Sequence, residues 1–116
     1  MVGNFKKLHW TEHAKAKMKQ YSLSKSKLIN LLYKPERVER GIVEGTMAAM
    51  QKNKSYSKDK KKKSPGEIWL MYQDVKDFRK IISAWRYPGI SKPGENIPIP
   101  EDIRRELLNT NEFNRH

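Results

Sequence analysis

Residues 67–88 read EIWLMYQDVKDFRKIISAWRYP, and they decide the architecture. Residues 67–73 are an apolar run of strand type. The polar QDVKD then turns the chain, and residues 78–87, FRKIISAWRY, form the longest strand candidate. Strict alternation puts Phe78, Lys80, Ile82, Ala84 and Arg86 on one face. It puts Arg79, Ile81, Ser83, Trp85 and Tyr87 on the other, so Arg79 and Arg86 are expected on opposite sides. Pro88-Gly89 ends the strand.

Upstream, Val38, Arg40 and Ile42 alternate with Arg37, Glu39 and Gly41, which reads as a further strand punctuated by Gly45. Residues 46–52, TMAAMQK, fit the returning strand of a hairpin, although their periodicity alone also fits a helix. Residues 53–65, NKSYSKDKKKKSP, are polar and lysine-rich and read as a mobile loop joining two strands.

Two helices precede the strands. Thr11 is a candidate N-cap for TEHAKAKMKQY, in which Ala14, Met18 and Tyr21 recur at helical spacing. His13 and Lys17, four apart, share a different stripe. A second helix starts at Ser24, with Leu23 and Leu28 placed as a hydrophobic staple and Leu28, Leu31 and Leu32 as its apolar face. Lys34-Pro35 ends it, because the residue before proline avoids helical geometry.

Downstream, ISKPGENIPIP is extended, and Pro100 opens a short helix, PEDIRRELL. Glu101 and Asp102 suit its positive end, and Ile103 and Leu107 give it a docking stripe.

The expectation is an α+β fold. Two N-terminal helices pack on a four-stranded antiparallel sheet, followed by a proline-rich C-terminal tail and short helix. Residues 1–88 form the core, with the lysine-rich loop at 53–65. Residues 89–116 form an extension that docks on the core through Ile97, Ile99, Ile103 and Leu107.

The 116 residues suffice for one ordinary domain and carry a formal net charge of +12. Residues 89–116 have four basic and five acidic residues, which leaves +13 on residues 1–88. A field of that sign draws in phosphate backbones, so a nucleic acid or another polyanion is the expected partner. The mildly acidic C-terminal helix is expected to lie against the basic body.

There is no cysteine, and His9, His13 and His116 are too scattered for a metal motif, so neither a disulfide framework nor a cofactor is expected. The opening MVGNFKKLHW lacks the apolar run of a signal peptide, and no stretch is long and apolar enough to span a membrane. A cytoplasmic location and no membrane partner follow as expectations.

Phosphate-cradling glycine loops, dinucleotide fingerprints and nucleophile motifs are missing. Metal-free cleavage of RNA needs none of them. One group takes the proton from the 2′-hydroxyl, another protonates the leaving 5′-oxygen, and Lys or Arg neutralises the charge that develops.

The motif TEHAKAKM at residues 11–18, KPERV at 34–38 and the closing IISAWRY at 81–87 together resemble a family of small bacterial and phage domains of unknown function. That family is grouped with the barnase, EndoU, colicin-type and RelE-type ribonucleases. The resemblance covers roughly residues 5–88. It implies two helices on a four-stranded antiparallel sheet and a toxin-like or RNA-processing ribonuclease, with an acidic antitoxin-like protein as a further partner. The family's histidine matches His13, and its closing Arg-Tyr pair matches Arg86 and Tyr87. Where the family often has Arg, this chain has Lys17 or Met18, and Lys17 keeps the charge without the bidentate fork.

The candidate catalytic residues are therefore His13 and Tyr87. The candidate phosphate or RNA contacts are Lys17, Arg40, Arg79, Arg86, Lys60, Lys61 and Lys62. Each has a plainer reading. His13 also fits a capping or packing role, Tyr87 a strand-end packing role, and the lysines a solvated loop. The alternative to an enzyme is a basic nucleic-acid-binding module without catalysis.

Overall fold

The computed structural model describes residues 7–53 and 66–109, and it is a mixed α+β fold. In chain order the elements are β1 (Lys7–Trp10), α1 (Glu12–Gln20), α2 (Lys25–Tyr33), β2 (Arg37–Arg40), β3 (Met47–Lys52), β4 (Glu67–Val75), β5 (Phe78–Tyr87) and α3 (Glu101–Asn109). The sheet has five strands in the order β1-β5-β4-β3-β2, not four. The additional strand is β1, which pairs parallel with β5, Lys7 opposite Phe78 and Trp10 opposite Ile81; all other pairs are antiparallel.

The helix starts follow from local chemistry. Thr11 accepts the Ala14 N–H at 3.1 Å, and Ser24 accepts the Lys27 N–H at 3.1 Å. Ser22 sits in the left-handed region at φ 56°, which turns α1 sharply into α2.

The sheet is covered on both faces. Ala14, Met18, Leu28, Leu31 and Leu32 of the two helices meet Ala49, Leu70, Tyr72, Ile81 and Ala84 on one side. On the other, Ile103 and Leu107 of α3, both fully buried, meet Met50, Trp69, Met71, Ile82 and Trp85. Ile97 and Ile99 pack at the margin of this second core, and Trp85 Nε1 donates to the Pro98 carbonyl at 2.9 Å.

A bulge corrects the face assignment in β5. Met71 pairs with Ser83 and Tyr72 with Ile81, so Ile82 is the extra residue. The alternation shifts phase there: Ile81 and Ala84 face α1 and α2, whereas Ile82 and Trp85 face α3. Arg79 and Arg86 thus lie on the same side of the sheet, contrary to strict alternation. Both bulge carbonyls turn to the free edge beyond β1, where Thr11 uses them. Its N–H reaches Ile81 O at 3.2 Å, and its hydroxyl lies 2.9 Å from Ile81 O and 3.3 Å from Ile82 O.

A second fastening holds the tail. Glu67, 1 % exposed, accepts from Trp69 Nε1 at 3.0 Å, from Ser91 N at 2.9 Å and from Ser91 Oγ at 2.8 Å. Arg37 donates to Ser91 Oγ at 2.6 Å and lies 5.2 Å over the Trp69 ring. A buried carboxylate is tolerated here because its neighbours supply donors and a cation stands one residue away. Gly66 precedes it at φ +94°, where a side chain would clash with Tyr87 O.

Among the described residues, no helix is long and apolar enough to cross a membrane.

Candidate functional site

Because β1 stops at Trp10, α1 takes its place along the rest of the β5 edge. This placement sends one stripe of α1 toward Ser83 and α3. His13 Nε2 lies 3.0 Å from Ser83 Oγ, and His13 Nδ1 lies 3.7 Å from Glu106 Oε1. One turn on, Lys17 Nζ donates to Gln20 Oε1 at 3.1 Å, to Asp102 Oδ2 at 3.0 Å and to Glu106 Oε1 at 3.0 Å. Three acceptors match the three protons of one ammonium, and the Lys17 side chain is only 8 % exposed.

Burial works against the Lys17 charge. The hydrogen bonds to Asp102 and Glu106 and the negative charges of both together more than offset it, so its pKa is raised above the ordinary 10.5. The same bond from Lys17 holds the Asp102 carboxyl below the ordinary 3.8. Beside them the Tyr21 phenol is pushed up, first by burial and then by the Asp102 charge.

His13 and Lys17 are thus brought together, in a site filled by acid. The other sequence candidates lie elsewhere. Tyr87 is half-buried at the end of β5, lining a cleft of about 320 Å³ with Arg86, Pro88 and Pro98–Pro100. It follows Ser83 by four residues on the same face, which is about 13 Å along an extended strand. Arg86 turns to the opposite face, donating to Tyr21 O at 2.6 Å and Ser22 O at 3.0 Å, where it closes the α1 end.

Arg79 is engaged by Asp74 at 2.6 and 3.1 Å and lies 4.2 Å over the Tyr72 ring. Arg40, at the exposed end of β2, lines a cleft of about 510 Å³ together with Arg104, Glu39 and Glu95. Lys60, Lys61 and Lys62, with the rest of the lysine-rich loop beyond Asn53, lie outside the described residues.

A different cationic cluster escaped the sequence reading. A cleft of about 480 Å³ between α2 and β3 is lined by Ser26, Lys27, Asn30, Lys34, Gln51 and Lys52. Gln51 Nε2 braces it by donating to Asn30 Oδ1 and to Lys34 O, both at 3.2 Å. The three ammonium groups have no partner among the described residues, and no carboxylate lines the cleft. Glu36 is close by, accepting the Lys52 backbone N–H at 2.9 Å. The available signal was the spacing of Lys27, Asn30 and Lys34, three and four apart on one helix stripe. The partnership of Glu67 with Ser91, and of Lys17 with Asp102 and Glu106, had no such local signal.

Among the described residues, no group of three or more His, Cys, Asp or Glu is placed to hold a metal ion. Comparison with known protein families, with curated proteins and with solved structures finds no match to this chain.

Proposed function

We propose that this protein binds RNA through its phosphate backbone, with the Lys27–Lys34–Lys52 cleft as a phosphate seat. The observation that carries the reading is the state of the cations. Lys17, Arg79 and Arg86 are committed to partners within the fold, whereas among the described residues the three cleft lysines have no partner and no carboxylate lines their cleft. The cleft also leads in sequence into residues 54–65, which carry six lysines and one aspartate. The choice of RNA over DNA rests on the ribonuclease resemblance. An acidic antitoxin-like protein would meet the same lysines, and a cytoplasmic location belongs to the same reading.

The test is a titration of labelled single-stranded RNA with wild type and the triple variant K27A/K34A/K52A at several salt concentrations. Each single-strand phosphate contact contributes roughly 0.7 to the log–log salt slope. Loss of three should lower the slope by about 2 and weaken binding at low salt. Equal slopes and affinities for the two proteins would refute the proposal.

A second reading, a metal-independent endoribonuclease of barnase- or RelE-like fold, is favoured by one observation. The His13 imidazole is held by Ser83 on one nitrogen and faces the Glu106 carboxylate with the other, an arrangement suited to moving a proton. In this reading His13 and Tyr87 are acid and base, and Lys17, Arg40, Arg79 and Arg86 surround the phosphate. It requires their present contacts to rearrange. Cleavage of RNA in EDTA, lost in H13A while binding is kept, is the outcome that would select it.

A further inference from the structure

Lys17 and His13 form a basic pair whose occupant is another part of the same chain. Glu106 Oε1 stands between them, 3.0 Å from Lys17 Nζ and 3.7 Å from His13 Nδ1, and Asp102 Oδ2 takes a second Lys17 proton at 3.0 Å. Asp102 and Glu106 are four apart on α3, so one helix stripe brings two negative charges to one cation and one titratable ring.

These carboxylates are not the main fastening of α3. Their side chains are 44 % and 48 % exposed, whereas Ile103 and Leu107 on the adjoining stripe are fully buried. The apolar dock and the charged contact are therefore separable. The charge match also limits what else fits. Two carboxylates carry −2 on oxygens that reach both Lys17 and His13, which a phosphate group reproduces with a single centre and several acceptor oxygens. A lone carboxylate supplies half that charge.

We infer that His13 and Lys17 form a phosphate-binding seat, which α3 occupies in cis with Asp102 and Glu106 in place of the phosphate oxygens. A phosphate ester enters by displacing the two carboxylates, with α3 either shifting on its apolar dock or leaving it. The seat is separate from the lysine cleft on α2 and β3, and it stands without the RNA reading.

The test uses inorganic phosphate as probe and the His13 imidazole resonances as readout, in the whole chain. Wild type is compared with D102N/E106Q, which keeps Ile103 and Leu107 and hence the dock. A charge-matched control, E44Q/E101Q, changes two exposed acids outside the seat. An intramolecular occupant competes at an effective concentration in the millimolar range. D102N/E106Q should therefore show a saturable His13 shift at about tenfold lower phosphate than wild type. The control should behave as wild type, and adding K17M to D102N/E106Q should abolish the response.

E106Q alone, which opens the position between Lys17 and His13, should give an intermediate gain and serves if the double variant folds poorly. Equal responses in wild type, E106Q and D102N/E106Q would overturn the inference. So would a gain shared by the control, or one that survives K17M. An absent RNA affinity with an intact phosphate response would refute only the RNA-binding proposal.

Discussion

Replacing Glu67 with Ala should be among the most damaging single changes in this chain. Glu67 is 1 % exposed and accepts three hydrogen bonds, from Trp69 Nε1 at 3.0 Å, Ser91 N at 2.9 Å and Ser91 Oγ at 2.8 Å. Without the carboxylate the Ser91 hydroxyl can rotate, and it still accepts from Arg37. The indole N–H of Trp69 and the backbone N–H of Ser91 have no such recourse. A buried donor left unsatisfied costs roughly 1–3 kcal/mol, so two cost about 2–6 kcal/mol.

A domain of this size has on the order of 5–15 kcal/mol in total. At about 4 °C per kcal/mol, between the values for smaller and larger domains, the Tm of E67A should fall on the order of 8–24 °C. Relief of the desolvation of the carboxylate offsets part of this, because burying the charge was itself costly. E67Q keeps one acceptor but points an amide N–H₂ at a donor, and should fall between the two.

Circular dichroism gives the melt. Tryptophan fluorescence reports the site, since Trp69 and Trp85 stack at 6.2 Å with planes 5° apart. A loss in E67A below about 0.5 kcal/mol, the size of an ordinary surface change, would refute the reasoning.

Acid should loosen α3 before it unfolds the sheet. The lowered pKa of Asp102 gives stability that is present above 3.8 and lost as pH falls through its folded value. Lys17, with a raised pKa, contributes fully below 10.5 and loses its share only as pH rises through its folded value. Hydrogen exchange at residues 101–109 should therefore quicken below about pH 4 relative to β4 and β5, and D102N should flatten that acid limb. Arg86→Ala should cost about 1–3 kcal/mol in urea unfolding by releasing the carbonyls of Tyr21 and Ser22. Arg86→Lys should recover only part, because one ammonium cannot reproduce the fork.

What was legible in the sequence was what is decided within a few residues. Thr11 and Ser24 cap helices because each hydroxyl reaches an amide three residues on, and that spacing is written in the chain. The strand at residues 78–87 was visible from its length and its Pro-Gly stop. Its bulge was not, because Ile82 carries no mark that distinguishes an inserted residue from a paired one. One slip of phase then reversed the face of Arg79 relative to Arg86. β1 was missed for a related reason: Lys-Leu-His-Trp is too short to show a period, and only pairing with Phe78–Ile81 makes it a strand.

The candidate site divides the same way. The stripe of His13 and Lys17 followed from helical spacing. The tail gave its acidic character but not the pairing of Asp102 and Glu106 with that stripe, which depends on how two cores stack on opposite faces of one sheet.

The parallel pairing of β1 with β5 also sets a timetable for the growing chain. Thr11 is bonded to Ile81, 70 residues later, and among the described residues β1 pairs with β5 alone. At roughly 5–20 residues per second, ribosomal synthesis separates the two by about 4–14 s. Through that interval β1 waits without its partner, and the apolar stripe of α1 has no edge of β5 to cover. His13 and Lys17 are thus set in place only after Ser83 has left the ribosome, and α3 follows within some twenty residues. The basic pair is thus completed by groups 70 and 85 residues further along the chain.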